Sequence, residues 1–323
     1  MSSESDLIAR LRAFANHPAA RGLNDDAAVM TAPMGRDLVL THDMLVEGVH
    51  YLADDPPGDV AWKLLAVNLS DLAGKGAEPL GVLLGFTLGG DAGWDSAFVE
   101  GLGRALRAFD VPLLGGDTVR GQGARVLGLT AIGQVPSGGA PVRGGARAGD
   151  DLWVSGTIGD AGAGLRIALG TLHARDDALI KPLLKRYRLP MPRLALGRLL
   201  RPIVSAMMDV SDGLLIDAAR MAAASGVAAR IDLDALPLSP SYRAVAGSDE
   251  AARIAAATAG DDYELLFAAD PACCDAIEAA SRERKIMLGK IGKLAPGSGI
   301  NICYAGKQVR IDGPLGWEHS ATQ

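Results

Sequence analysis

The sequence is poor in the features that mark the simplest functional classes. It has three cysteines, Cys273, Cys274 and Cys303, and no C-x-x-C pair. An even disulfide framework is therefore impossible, and with only five scattered histidines a zinc site is disfavoured. No concentrated Lys/Arg block offsets the net charge of −6, so nucleic acid is not the expected partner, because binding to backbone phosphates needs a basic stripe. The longest apolar stretch, around Leu80–Leu88, is too short and too glycine-broken to span a bilayer. The opening Met1-Ser-Ser-Glu-Ser-Asp6 has no basic segment followed by an apolar core, as a secretory signal would. A cytoplasmic location without a membrane partner is the expectation. The common phosphate-binding and nucleophile motifs are missing too. There is no G-x-x-x-x-G-K-[ST], no G-x-G-x-x-G in a strand–turn–helix setting, no H-R-D or D-F-G and no G-x-S-x-G elbow.

What is present is an ordinary globular composition, 49% hydrophobic and 22% charged over 323 residues. At roughly 150 residues per domain, that length predicts two domains. The 41 glycines are nearly twice the usual share of about 7% and follow no G-X-Y period, so they predict many tight loops. Apolar periodicity predicts helices over Leu7–Ala15, Ala61–Ala73, Ser96–Phe109, Arg193–Leu200, Leu214–Ser225 and Ala272–Arg284, with another running through Leu169. Strands are expected at Asp37–Thr41, Leu80–Leu88, Val111–Leu114, Val126–Val135, Leu152–Ser155, Ala206–Val210, Ala228–Leu233 and Tyr263–Ala268. This alternation is that of a mixed α/β architecture. The Gly-, Pro- and Arg-containing stretch Pro136–Gly149 lacks periodicity and marks the junction, dividing the chain into domains 1–136 and 137–323.

The chemistry-bearing residues are acids set beside Gly, Thr or Ser at expected element ends: Asp25-Asp26, Asp43, Asp71, Asp117, Asp209, Asp212 and Asp261-Asp262. Taken singly, each is accounted for as a turn or helix-cap residue, and Ser70 and Ser211 as helix starts. Taken together they read differently. Several carboxylates converging from loops at strand ends would repel one another unless cations lay between them. Oxygen donors of this kind suit hard divalent ions, and Mg²⁺ in particular binds phosphates alongside carboxylates. Asn68-Leu-Ser-Asp71 and Asp209-Val-Ser-Asp212 share a polar–aliphatic–Ser–Asp pattern expected to open a helix. Arg143, on the junction loop, reads equally as a phosphate contact or as a solvated arginine. His50 reads as a hydrogen-bonded structural residue or as a ligand contact.

Five stretches, in order, resemble the thiamine-monophosphate kinase family, within the wider superfamily of aminoimidazole ribonucleotide synthetase and selenophosphate synthetase. They are Thr41-His-Asp-Met-Leu-Val-Glu-Gly-Val-His50, Ala66-Val-Asn-Leu-Ser-Asp-Leu-Ala73 with Gly76-Ala77, Gly115-Gly-Asp-Thr-Val-Arg-Gly121, Met208-Asp-Val-Ser-Asp-Gly-Leu214 and Gly260-Asp-Asp-Tyr-Glu-Leu265. The resemblance runs from about Gly22 to Trp317. It implies an aminoimidazole ribonucleotide synthetase-like fold of two domains, the N-terminal one forming a dimeric β-barrel and the C-terminal one an α/β layer. It further implies a cytoplasmic homodimer that converts thiamine monophosphate and ATP to thiamine diphosphate and ADP with several Mg²⁺ ions. On the same likeness, Asp26, Thr41, Asp43, Asp71, Asp117, Asp209 and Asp212 hold metal. Gly116, Asp117, Arg143 and Ser211 contact ATP, and His50, Asp261 and Trp317 lie near the thiamine phosphate. Asn24 and His42 depart from the family pattern, where glycine and threonine are usual.

A phosphate monoester acceptor is mostly dianionic at neutral pH, so the expected mechanism is direct in-line transfer. No catalytic group beyond the metal ligands is expected. The rival readings are another ATP-dependent enzyme of the same superfamily, a non-catalytic nucleotide or metal sensor, and a structural protein whose acids are all caps. Selenium chemistry wants a reactive residue near the N-terminus, and no Cys precedes Cys273.

Overall fold

The computed structural model describes residues 4–24, 27–31 and 33–318. The chain divides into two compact units, one formed by 1–72 with 77–138 and the other by 73–76 with 139–323.

In the first unit the order is α1 (Glu4–Leu11), β1 (Arg36–Val46), α2 (Pro57–Gly74), β2 (Glu78–Leu88), α3 (Ala92–Phe109), β3 (Leu113–Arg120) and β4 (Val126–Pro136). α3 starts where the Asp91 carboxylate accepts the Gly93 and Trp94 N–H groups, and it ends at Asp110 in the left-handed region. The strands form a four-stranded sheet ordered β1-β4-β2-β3, open at both edges, with only β2–β3 parallel. Strand alternation gives the sheet two unlike faces. One is closed: Leu45, Val82, Leu84, Phe86, Leu127, Leu129 and Ala131 are buried there, and Phe86 packs on Phe98 of α3 at 5.0 Å between ring centroids. The other face is open. Leu38, Leu40 and Met44 of β1 and Val119 of β3 remain 44%, 63%, 50% and 52% exposed.

The second unit continues with β5 (Asp151–Ser155), α4 (Asp160–Ala168), α5 (Asp177–Arg188), α6 (Leu194–Leu200), β6 (Ala206–Val210), α7 (Leu214–Ser225), β7 (Val227–Asp232), α8 (Pro240–Ala246), α9 (Glu250–Thr258), β8 (Glu264–Ala269), α10 (Cys274–Arg284), β9 (Leu288–Pro296), β10 (Ile300–Tyr304) and β11 (Lys307–Val309). Its seven strands are ordered β11-β10-β7-β9-β5-β8-β6, and β7–β10 is the one parallel pair among them. Both faces of the central strands are buried. Leu152, Val154, Met208, Val210, Leu266 and Ala268 pack with residues of α4, α5, α7, α8 and α9. Trp153, Met207, Leu265 and Phe267 pack with Leu196 and Leu200 of α6 and Ile277 of α10. A strand buried on both sides carries no polar alternation, which is why β6 and β8 read as short apolar runs. Among the described residues, no helix is long and apolar enough to cross a membrane.

Several sequence expectations change. β1 does not end at Thr41 but continues to Val46, and the Gly115–Thr118 stretch lies within β3 rather than in a loop. Asn68-Leu-Ser-Asp71 opens no helix; it sits inside α2, because Leu64, Leu65, Leu69 and Leu72 bury fully and carry the helix through the polar residues. Its likeness to Asp209-Val-Ser-Asp212, which runs from β6 to the turn before α7, is therefore not structural. Helices α5, α8 and α9 and strands β9–β11 went unforeseen. α5 is interrupted by Pro182, and α8 and α9 are short.

Candidate active site

In the first unit, the side chains of Leu64, Asn68 and Asp71 recur at i, i+4 and i+7 and so share one face of α2. That face meets β1. The Asn68 carbonyl oxygen accepts the Asp43 N–H at 2.9 Å, and its amide donates to Leu64 O at 2.9 Å. The Thr41 hydroxyl donates to the Asp71 carboxylate. Thr41 and Asp43 are two residues apart on β1, and both project to this closed side of the sheet. Asn68, fully buried, is thus a residue the sequence reading passed over. It lies in the tetrad singled out only for Asp71.

Asp117 is placed differently. It pairs with Gly85, which pairs with Gly128, which pairs with Met44, so register sets its side chain on the open face with His42 and Met44. Gly116, one residue back, aligns with Leu84, Leu129 and Asp43. Three strand spacings of about 4.8 Å separate Asp43 from the Asp117 edge, and the structure does not bring Asp117 onto the Thr41–Asp71 side. His42 shares a 2.9 Å hydrogen bond with the Thr130 hydroxyl through Nδ1. Asp26, like Asp25, lies outside the described residues.

His50 sits in the turn after β1. Its Nδ1 accepts the Val46 N–H at 3.0 Å, and its carbonyl accepts from the buried Lys63 ammonium at 3.0 Å. Because Nδ1 is the acceptor, the neutral ring carries its hydrogen on Nε2. The ring is therefore a donor at Nε2.

In the second unit, the end of β6 gathers several of the expected residues. Asp209 is the penultimate residue of that strand, and Ser211 and Asp212 form the turn into α7. The Ser211 carbonyl accepts the Asp261 N–H and the Asp212 carbonyl accepts the Trp317 N–H, both at 2.8 Å. Gly316 makes this docking possible: a Cβ there would stand 2.3 Å from Ile216 Cγ2 and 2.6 Å from Asp212 O. Ser211, Asp212, Asp261 and Trp317 are thus brought together by backbone hydrogen bonds. Arg143 is not among them. Its carbonyl accepts from Ser225 at the far end of α7, so the length of a twelve-residue helix, about 18 Å, separates it from the Ser211 turn. Its side chain is exposed.

Two charged groups here were missed. Asp217 is fully buried and accepts the N–H groups of Ser211 at 3.1 Å and Asp212 at 3.2 Å. Arg220 donates to Asp217 at 3.0 Å and pairs with the Asp212 carboxylate. Burial, and next the charge of Asp212, push the Asp217 carboxyl up to about 6. Their sequence signal was an acid and a base one turn apart on a helix read only as Ala-rich.

Asp262 is buried as well, and burial pushes its carboxyl up to about 8 from 3.8, against the lowering effects of the Arg186 charge and the Gly159 N–H. The folded protein therefore keeps this proton over a range in which the unfolded chain has released it. The stability the group contributes is full below about 4 and is lost as pH rises through about 8. Asp262→Asn cannot ionise and should flatten this slope. Urea unfolding at pH 5 and pH 8 checks it, since parallel losses in wild type and variant would refute the assignment.

The oxygen-only donors, carboxylates with a threonine hydroxyl, suit a hard cation. Among the described residues, no three of His, Cys, Asp and Glu are grouped closely enough to hold an ion by themselves. Mg²⁺ commonly uses one or two carboxylates and completes its shell with water and substrate phosphates. The Thr41–Asp71 pair with Asp43 nearby fits that mode rather than an all-protein cage.

Residues 24–135 match the AIR synthase related protein N-terminal domain, and residues 147–303 match its C-terminal domain. The chain is 42% identical over 324 residues to thiamine-monophosphate kinase of Caulobacter vibrioides, covering 98% of this chain and 91% of the relative. Among solved structures, thiamine-monophosphate kinase from Stenotrophomonas maltophilia K279a superposes with a TM-score of 0.85 at 40% identity, covering 94% of this chain and 96% of that one. AaThiL complexed with AMPPCP and TMP gives a TM-score of 0.77 at 29% identity, with 90% and 89% covered.

Proposed function

Since this chain belongs to the thiamine-monophosphate kinase family, we propose that it transfers the γ-phosphoryl group of ATP directly to the phosphate of thiamine monophosphate, giving ADP and thiamine diphosphate. The observation that carries this reading is a likeness to kinases of that name extending over nearly the whole chain. A relative's complex with AMPPCP and TMP supports a site that takes a nucleotide and a thiamine phosphate together. Its place is the cytoplasm, where ATP is available, and its product serves thiamine diphosphate biosynthesis.

The acceptor needs no protein base. With a second pKa near 6, a phosphate monoester is already a dianion at neutral pH. The obstacle is repulsion between two polyanions. For one pair of unit charges at 4 Å and an effective dielectric of 20, it amounts to about 4 kcal/mol. Mg²⁺, when bound, offsets that repulsion and the charge developing in the transition state. Its proposed ligands are Asp26, Thr41, Asp43, Asp71, Asp209 and Asp212, with Asp117 as a further ligand on the other face of the sheet. Gly116, Asp117, Arg143 and Ser211 are the proposed ATP contacts. His50, donating through Nε2, Asp261 and the Trp317 ring are those for thiamine monophosphate. No residue carries the phosphoryl group.

The open face of the four-stranded sheet supports a homodimer in which the N-terminal domain, 1–136, pairs with its copy to complete a β-barrel. A row of exposed Leu, Met and Val side chains on one sheet is an interaction surface, and the same patch on a two-fold related copy is self-complementary. The C-terminal domain, 137–323, is the α/β layer.

Incubation with ATP, Mg²⁺ and thiamine monophosphate tests the reaction. Thiamine diphosphate and ADP should appear in equal amounts, with no label from γ-labelled ATP left on the protein. ADP release without thiamine diphosphate, or a labelled protein, would overturn it.

A further inference from the structure

The segment Gly260–Glu264 leads from α9 into β8 and presents Asp261. Asp261 at φ 70° and Tyr263 at φ 49° both hold left-handed backbone, although neither is glycine. Such backbone persists only where its surroundings over-determine it, and here the fixing contacts are identifiable. The Asp261 N–H donates to Ser211 O and the Tyr263 N–H to Val210 O, both at 2.8 Å. Between them Asp262 turns inward, 1% exposed, and its carboxyl oxygens accept the Gly159 N–H at 2.7 Å and the Ala161 N–H at 3.4 Å at the start of α4. Arg186 donates to the Asp262 carbonyl at 3.0 Å and to the Glu264 carboxylate at 2.8 Å. Arg193 Nε and the Ser155 hydroxyl hold the same fully buried Glu264 at 2.7 and 2.5 Å. The tip is tied as well, because the Tyr263 hydroxyl reaches the Asp261 carboxylate at 3.2 Å.

We infer that Asp262 is a positioning residue, which locks the segment against α4 so that Asp261 is held ready for thiamine monophosphate. The inference rests on reading Asp261 as a substrate contact. With Asp262 seated inward between two left-handed residues, and the buried Tyr263 tied to Val210 and to the Asp261 carboxylate, Asp261 is left little freedom. The Arg186–Glu264–Arg193 cluster holds the segment's other end.

The full-length chain carrying Asp261→Ala, Asp262→Ala or Asp262→Asn tests this, with calorimetric binding of thiamine monophosphate in the absence of ATP measured beside the kinetics. Asp261→Ala and Asp262→Ala should each weaken thiamine monophosphate binding roughly tenfold, the effect of one lost charged hydrogen bond. The KM for ATP should stay at the wild-type value, while the KM for thiamine monophosphate rises in step with the lost binding. Asp262→Asn retains an acceptor oxygen for Gly159 and should bind nearly as wild type does. If Asp261→Ala weakens binding and Asp262→Ala does not, the positioning role is wrong and the reading of Asp261 stands. If Asp261→Ala binds normally, that reading itself falls. Where Asp262→Ala does not fold, Asp262→Ser keeps a hydroxyl with a shorter reach and must show the same weakened binding.

Discussion

Asp71→Asn is expected to lower kcat by about 100-fold or more, on the scale of losing one electrostatic stabiliser of a transition state, with the melting temperature nearly unchanged. The fold survives because an amide oxygen can still accept the Thr41 hydroxyl, and because Leu69 and Leu72 on either side keep α2 seated. What goes is a negative charge at a hard oxygen donor. The variant should therefore need more Mg²⁺ for half-maximal turnover, and ATP-dependent Mg²⁺ binding measured by calorimetry should weaken in parallel. Asp212→Asn should behave similarly, although its carboxylate also pairs with Arg220. Wild-type rates in both variants at limiting Mg²⁺ would refute the ligand assignment.

Leu40→Asp should convert a dimer to a monomer, read as halved mass in sedimentation equilibrium. Leu40 is the most exposed of the apolar residues on the open sheet face, so an acid there costs the isolated protomer little. Across a two-fold axis the charge is introduced twice, beside the exposed Leu38, Met44 and Val119. Wild type sedimenting as a monomer would remove the dimer proposal. A variant that stays dimeric would place the interface elsewhere on the chain.

How far the sequence carried depended on how local the determinants were. β6 and α7 came out with their observed ends because an unbroken apolar run meets a turn at Ser211–Gly213, followed by an Ala-rich helix. The Asn68–Asp71 tetrad misled, since polar residues resemble a helix start when the buried leucines on either side are not weighed with them. The acids themselves were legible as residues at or near element ends. Their sides were not, because whether Asp117 shares a face with Asp43 depends on a bulge between Val82 and Leu83 and on pairing with strands far away in sequence. Asp217, Arg220 and Glu264 escaped for a related reason, as did the inward turn of Asp262: their partners lie on other elements or in backbone N–H groups that no motif records.

β1 pairs with β4 over eleven consecutive residues without a bulge, and its odd positions, Thr41, Asp43 and Leu45, line the closed side while its even ones, Leu38, Leu40, His42 and Met44, line the open one. Substitutions can tune either row separately. Losing or gaining a single codon within the strand would transpose the two rows at once. Length variation among relatives should therefore collect in the turns on either side of the strand, with exchanges of one amino acid for another within it.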